Sequence, residues 1–411
     1  MKKIVGILIC ILLIFTVFPA SANILVDRIY DSTIFGNTLY VGGSGPGNYT
    51  RIQDAIGARV DGDTIYVYSG FYQEHLYINK EIVLKGENRN TTIIDGNGSG
   101  VDVVRMESSV DVSNFTIQNK GGSHYDEVYD GMILGCSNVS VKNMNFIGCG
   151  LSYDFDYNYD ESFNNTVINN FVNGKPLTYL EDKTYEIVDY PCGQIILVNC
   201  KNITISNQNI SNLRIGIILS HSHNCYLYKN QIMNACYGIL VYFSDNNTIS
   251  ENILSSNYIG IIYQGSNRNI FMKNTIESNT EGIYDNLSPF IYGPSSNNII
   301  KNNLIRNNNE GVWLYSSAFI YNNEFRSNNW GVSIFWKTPI EKNNFYFNKL
   351  DVWIFTSPST YTKTIIDGNY WGRPRVLPKL NLGVINFGGY AANIPWFFID
   401  WHPAKEPYDI P

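Results

Sequence analysis

From residue 216 onward, short apolar runs alternate with polar breaks in a fixed rhythm. Gly216-Ile217-Ile218-Leu219, Gly238-Ile239-Leu240-Val241, Gly260-Ile261-Ile262-Tyr263 and Gly282-Ile283-Tyr284-Asp285 open successive units 22 residues apart. Gly311 and Gly331 carry the register on with a 20-residue step, and Asp351 takes the glycine's place one step later. A fixed period of this size means one structural unit laid down repeatedly. The apolar runs are only three or four residues long, rich in β-branched side chains and broken by Asn, Ser and Gly. An amphipathic helix needs apolar spacing of three to four sustained over about ten residues, which these units lack. In the unit opened by Gly238, Ile239 and Val241 alternate, Ser244 to Asn247 turn, and Ile249, Asn252, Leu254 and Asn257 follow. That spacing predicts three short strands per coil. The fold class is therefore all-β, a parallel β-helix whose strands pair with the coils above and below at about 4.8 Å.

Turn asparagines recur in register as Asn230, Asn252 and Asn274, and again as Asn323 and Asn343. Asn tolerates left-handed backbone, and stacked side-chain amides bond to one another along a rod. These asparagines are expected to be structural.

The ends of a solenoid need covering, because an open coil exposes core and unpaired edges. Ile52, Ala55, Ile56 and Arg59 share one helical face, predicting a short capping helix over 52–59. Residues 23–48 form a leader and 49–372 the β-helix. Residues 152–192 break the rhythm and are expected to loop out as an arm, and Ser288 to Asn298 form a smaller excursion. After Tyr370-Trp371-Gly372 the repeat stops. The Pro-rich, aromatic tail 373–411, with Trp396-Phe397-Phe398 and Trp401, is expected to be a non-repetitive cover.

Lys2-Lys3, an apolar run from Ile4 to Phe18 and Ala20-Ser21-Ala22 follow the order of a secretory signal over residues 1–22. The run is short for a membrane span, although a retained anchor is the alternative to cleavage. No second long apolar segment follows, so the expected location is secreted or cell-surface, as a monomer. Net charge is −7 with no basic block, which argues against nucleic acid or an anionic membrane as partner. Export makes disulfides possible for Cys136, Cys149, Cys192, Cys200, Cys225 and Cys236; otherwise they are small buried residues stacked between coils.

Several segments resemble NosD-type secreted right-handed parallel β-helix proteins of the pectin-lyase-like superfamily. They are Ile52-Gln53-Asp54-Ala55-Ile56, Asp61-Gly62-Asp63-Thr64-Ile65, Gly70-Phe71-Tyr72-Gln73-Glu74, Leu84-Lys85-Gly86-Glu87, Thr92-Ile93-Ile94-Asp95-Gly96 and Asn369-Tyr370-Trp371-Gly372. The resemblance covers roughly 39–372. It implies a right-handed winding and an exported rod, with an archaeal cell surface as a plausible setting. It also implies a role in binding or modifying carbohydrate, or, for the name-giving members, in copper delivery.

Cleavage of a polysaccharide needs paired carboxylates, which on a coil stack means acids at equivalent positions one or two coils apart. Asp245, Glu251, Glu277 and Asp285 stand isolated, so no catalytic residue is assigned and a non-catalytic role in binding carbohydrate or another envelope component is expected. Clustered Asp or Glu with Lys or Arg in an open groove would favour a polysaccharide lyase or epimerase instead. Asp154, Asp156 and Asp160, near Asp126, Glu127 and Asp130, offer oxygen ligands for calcium. His221 and His223, with Cys225 near, suit copper if a strand sets both rings on one face. Outward positions after each glycine carry Tyr242, Trp313, Tyr315, Phe335, Trp353 and Phe355, a candidate aromatic stripe for sugar rings. The alternative is that the tail, Trp396 to Trp401, or the arm covers this stripe.

Overall fold

A computed structural model describes residues 36–98, 100–119, 130–153, 163–286, 294–357, 365–386 and 393–410. The chain winds as a right-handed parallel β-helix of about 13 turns, only 2% of it helical. One face begins as a six-stranded sheet from Thr38–Val41 to Thr166–Ile168. A nine-stranded sheet from Ile187–Val188 to Ile366–Asp367 follows. Apart from two antiparallel pairings, Phe171–Val172 with Lys175–Glu181 and Lys379–Asn386 with Asn393–Asp400, the pairings are parallel. Each strand bonds to its equivalent in the next coil, so apolar side chains stack in columns inside the rod. Ile195, Ile217, Ile239, Ile261, Ile283, Val312, Val332 and Val352 form one such column, all essentially fully buried.

The recurring glycines are required by close approach, not by a left-handed backbone. A Cβ on Gly238 would lie 2.5 Å from the carbonyl oxygen of Gly260, and one on Gly260 2.6 Å from that of Gly282. Every coil therefore needs its neighbour to be thin at this bend.

The asparagine ladder runs unbroken from Asn230 through Asn252, Asn274, Asn303, Asn323 and Asn343 to Asn369. Each Nδ2 donates to the next Oδ1 at 2.9 to 3.1 Å, and each backbone N–H donates to the same oxygen. The second Nδ2 proton goes to a carbonyl one coil back, as from Asn252 to Leu227 at 3.0 Å. The left-handed residue is the one before each ladder asparagine: Lys229, Glu251, Lys273, Asn302, Asn322 and Lys342 all have φ between 54° and 57°. The ladder asparagines themselves point inward and are fully buried.

The helix Ile52–Ala58 buries Ile52, Ala55 and Ile56 at the first coils. Glu74, itself buried, accepts the N–H groups of Ile52 and Gln53 at 2.8 and 3.0 Å, satisfying two of the orphan donors at the helix start. Thr38–Val41, expected in a leader, pairs with Thr64–Val67 as the first rung.

Of the coil with a looped-out arm expected over 152–192, residues 154–162 lie outside the described residues, and the described flanks wind as coils. Leu151–Tyr153 pairs with Met132–Leu134, Thr166–Ile168 with Ser140–Lys142, and Lys175–Glu181 with Gln194–Val198. The rhythm of this stretch is hidden because an antiparallel turn at Asn173-Gly174 folds Phe171–Val172 onto Lys175–Glu181. The tail covers the last coils: Tyr408 exchanges hydrogen bonds with Asn344, and its hydroxyl donates to the carbonyl of Gly368 at 2.5 Å. Lys379–Asn386 continues the sheet beyond Leu350–Thr356, and Asn393–Asp400 returns antiparallel to it, closing the end of the stack. All six body cysteines are free thiols. No described helix is long and apolar enough to cross a membrane. The signal expected over 1–22 lies outside the described residues.

Candidate functional site

Three columns of outward side chains run along the sheet that carries the glycines. One is Tyr237, Ile259, Glu281, Glu310, Trp330 and Leu350. A second is Leu240, Ile262, Tyr284, Trp313, Ser333 and Trp353. The third starts with Tyr242 and Gln264, in register, and passes to Asn286, whose Nδ2 donates to Gln264 Oε1 at 2.9 Å. It then continues through Tyr315, Phe335 and Phe355, with ring centroids 4.6 and 5.3 Å apart. Trp313 joins across the columns, 6.0 Å from Phe335 and stacked, and meets Tyr284 edge-on at 5.7 Å.

Of the aromatic residues expected in the stripe, Trp313, Tyr315, Phe335 and Phe355 are therefore brought together, each half-buried. Trp353 lies at the far end, edge-on to Trp330 at 5.8 Å. Tyr242 departs from the expectation of an open ring: only 3% exposed, it sits edge-on to Phe243, which stacks on His221. Trp330 and Tyr284 belong to the same surface. Their signal in the sequence is an aromatic residue directly before Gly331 and two after Gly282.

At its N-terminal end the track runs into a groove of about 320 Å³ whose floor includes Leu240, Tyr242, Ile262 and Gln264. The opposite wall comes from the earlier, irregular coils and carries Asp102, Arg105 and Asp130. The groove thus straddles the junction between the two halves of the rod. Glu74, Asp102 and Asp130 each stand two residues before the mutually paired Leu76, Val104 and Met132, so three consecutive coils place an acid at equivalent positions. Asp102 accepts the N–H of Asp130 at 3.0 Å. Arg214 reaches across from the later coils: its Nη1 lies 2.9 Å from Asp130 and 3.5 Å from Asp102.

Asp130 is only 1% exposed, and its Oδ1 accepts no hydrogen bond among the described residues. Burial pushes its carboxyl up to about 7, against the pull of Arg214 and with a further push from Asp102. Asp130 in turn raises the Arg214 guanidinium further above its ordinary value. A buried acid titrating near neutrality beside an arginine, in an open groove, is a frequent property of proton-transfer sites. The sequence did not expose this cluster, because Asp102 and Asp130 lie in coils without the glycine register. Arg214 had a faint signal: two residues before the glycine, later coils carry Cys236, Tyr258, Thr280 and Asn309 where this one has arginine.

The histidines sit in a turn rather than on a strand. His221 has a left-handed backbone, φ 49°, and His223 Nδ1 accepts the N–H of Asp245 at 3.0 Å. Cys225 points into the core, where burial pushes its thiol up to about 12. Among the described residues no three His, Cys, Asp or Glu side chains gather as a metal site. Asp154, Asp156 and Asp160 lie outside the described residues, as do Asp126 and Glu127.

The family described as "Right handed beta helix region" matches residues 193–350. No curated protein matches the chain. Among solved structures, a mannuronan C-5 epimerase A-module of Azotobacter vinelandii is similar at 16% identity, covering 77% of this chain and 87% of that one, with a TM-score of 0.31. A periplasmic alginate epimerase is similar at 13%, covering 83% and 81%, with a TM-score of 0.41. A family 28 exopolygalacturonase of Yersinia enterocolitica is similar at 11%, covering 79% of each chain, with a TM-score of 0.36.

Proposed function

We propose that the protein is an exported rod that binds a polysaccharide along its outer face, in keeping with the signal-like residues 1–22. The observation that carries this reading is the track of half-buried side chains that begins at Asn286, beyond the buried Tyr242 and Gln264, and continues through Tyr315, Phe335 and Phe355, with Trp313 stacked beside them. Flat rings cover the apolar faces of sugars, and the Asn286 amide offers donors and an acceptor to hydroxyls. Coil spacing of about 4.8 Å sets several rings within the length of a short oligosaccharide. The test is calorimetry of the purified chain with oligosaccharides of increasing length. Affinity that rises with length and falls in Trp313→Ala and Phe335→Ala supports the reading; affinity untouched by both removes it.

A second reading, processing of the bound glycan, is favoured by the groove. Asp102 and Asp130 on consecutive coils, with Arg214 bridging them, supply the acid pair and cation that a lyase or epimerase uses. Asp130 holds a proton near neutral pH and Asp102 is the more accessible carboxylate. Incubation with polysaccharides, followed by detection of new reducing ends, unsaturated products or altered sugar configuration, separates the readings. Turnover that vanishes in Asp130→Asn establishes processing; binding without turnover leaves the rod a binder.

A further inference from the structure

Resting on the proposed glycan track, we propose that the track selects sugar chains without acidic units, and that Glu281 and Glu310 are the residues that exclude uronates. Glu281 and Glu310 are partners in register on adjacent coils, within the column that ends in Trp330. Both are half-buried. Neither forms an ion pair among the described residues, and the buried Glu281 Oε2 has no hydrogen-bond partner there. Burial is the main cause that raises the phenols of Tyr284 and Tyr315, and the acids add to it: Glu281 acts on both, and Glu310 on Tyr315. A carboxylate of the ligand over these rings would meet two acids that have no counter-charge.

The remaining charges do not compensate. None of the three columns from Tyr237 to Phe355 contains a lysine or arginine. The two arginines of the groove are already held by acids: Arg105 Nε lies 2.5 Å from Glu107, and Arg214 is shared by Asp102 and Asp130. A polyuronate carries one negative charge per unit and needs free cations spaced along its path, whereas a neutral chain needs only ring faces and amides. Burial and Glu310 push Glu281 up to about 7, so at pH 8 it is charged, and repulsion by one such carboxylate at the short separations of a bound sugar suffices for at least about a tenfold loss of affinity.

The experiment is titration of the full chain, at pH 8 and low salt, with neutral hexasaccharides (cellohexaose and mannohexaose) and with hexamers of mannuronate and galacturonate. The expected result is that at least one neutral hexamer binds at least about tenfold more tightly than either uronate, and that Glu281→Gln with Glu310→Gln narrows the gap severalfold. Uronates binding as well as the neutral hexamers overturns the selectivity while the binding track stands. A gap that persists in the double variant overturns the assignment to these two residues. Absence of binding by all four hexamers overturns both the selectivity and the track itself. The wild-type comparison is decisive even if the double variant fails to fold.

Discussion

Asp400 Oδ2 accepts the backbone N–H of Asn369 at 2.9 Å and the indole N–H of Trp371 at 3.0 Å. The last rung of the asparagine ladder is thereby handed to a carboxylate from the terminal hairpin. Asp400 is fully buried, and its other oxygen takes the N–H groups of Gly368 and His402, both at 3.1 Å. Backbone donors that would otherwise open onto the end of the rod are all satisfied by one side chain. Trp371 continues the inner aromatic stack of Phe325 and Phe345, so the same residue also fixes the last ring of the core.

Asp400→Ala is expected to fray the rod from its C-terminal end. The variant strands the buried donors of Asn369 and Trp371 and leaves those of Gly368 and His402 to water, a loss of about 3 kcal/mol. Limited proteolysis should cut first between the coils after residue 340, and the melting temperature should fall. Unchanged proteolysis there would show that the hairpin is ornament rather than a clamp.

Asn252→Leu tests the ladder's middle. The substitution removes the acceptor used by both the backbone N–H and the Nδ2 of Asn230 and the donor to Leu227. Three buried polar partners are orphaned, at a cost of about 3 to 5 kcal/mol. Glu251→Gly, one residue earlier, should be tolerated or stabilising, because the left-handed backbone there favours glycine. Opposite signs at adjacent positions, measured by thermal unfolding, would locate the constraint in the amide and not in the turn.

The contrast between those two positions shows how far the sequence could be read. The period of Gly216, Gly238 and Gly260 and the spacing of Asn230, Asn252 and Asn274 follow from one residue per coil meeting its own copy, so the winding and the ladder were legible. The aromatic stripe was legible for the same reason, since Tyr315, Phe335 and Phe355 share that register. Asp102, Asp130 and Arg214 come from 112 residues of intervening chain, and only the completed winding brings them to one groove. Glu281 and Glu310 were legible by the same rule, since each directly precedes a glycine of the repeat, Gly282 and Gly311, and the 29-residue coil between them keeps that register.

Asp285 makes stability pH-dependent from inside the rod. It follows Leu219, Val241 and Tyr263 in an inward column and is only 1% exposed. Burial pushes its carboxyl from 3.8 up to about 6, while Ser316 and Ser295 hold it back. The folded state therefore keeps a proton that the unfolded chain has already released, so stability falls as pH rises from about 4 to about 6 and then levels off. The shift corresponds to roughly 3 kcal/mol. Asp285→Asn should flatten this part of the stability profile and raise the melting temperature at pH 8 relative to pH 4. A profile as steep as that of the wild type would place the effect elsewhere.

Arg214 should be felt most strongly above neutrality. At pH 5 the buried Asp130 is protonated and needs no counter-charge; at pH 8 it is ionised and depends on the Arg214 guanidinium 2.9 Å away. In Arg214→Met that attraction is gone, and the folded-state titration of Asp130 moves further above its unfolded value. Stability of the variant must then decline with pH over a wider interval than in the wild type. The deficit at pH 8 should reach about 3 kcal/mol, the usual penalty for stranding one member of a buried ion pair, and shrink at pH 5. Asp130→Asn, added to Arg214→Met, should remove most of the pH-dependent part. Chemical denaturation of the wild type and the two variants at the two pH values measures it. A deficit of equal size at both would mean that Arg214 holds the groove by packing, and that its charge is irrelevant to Asp130.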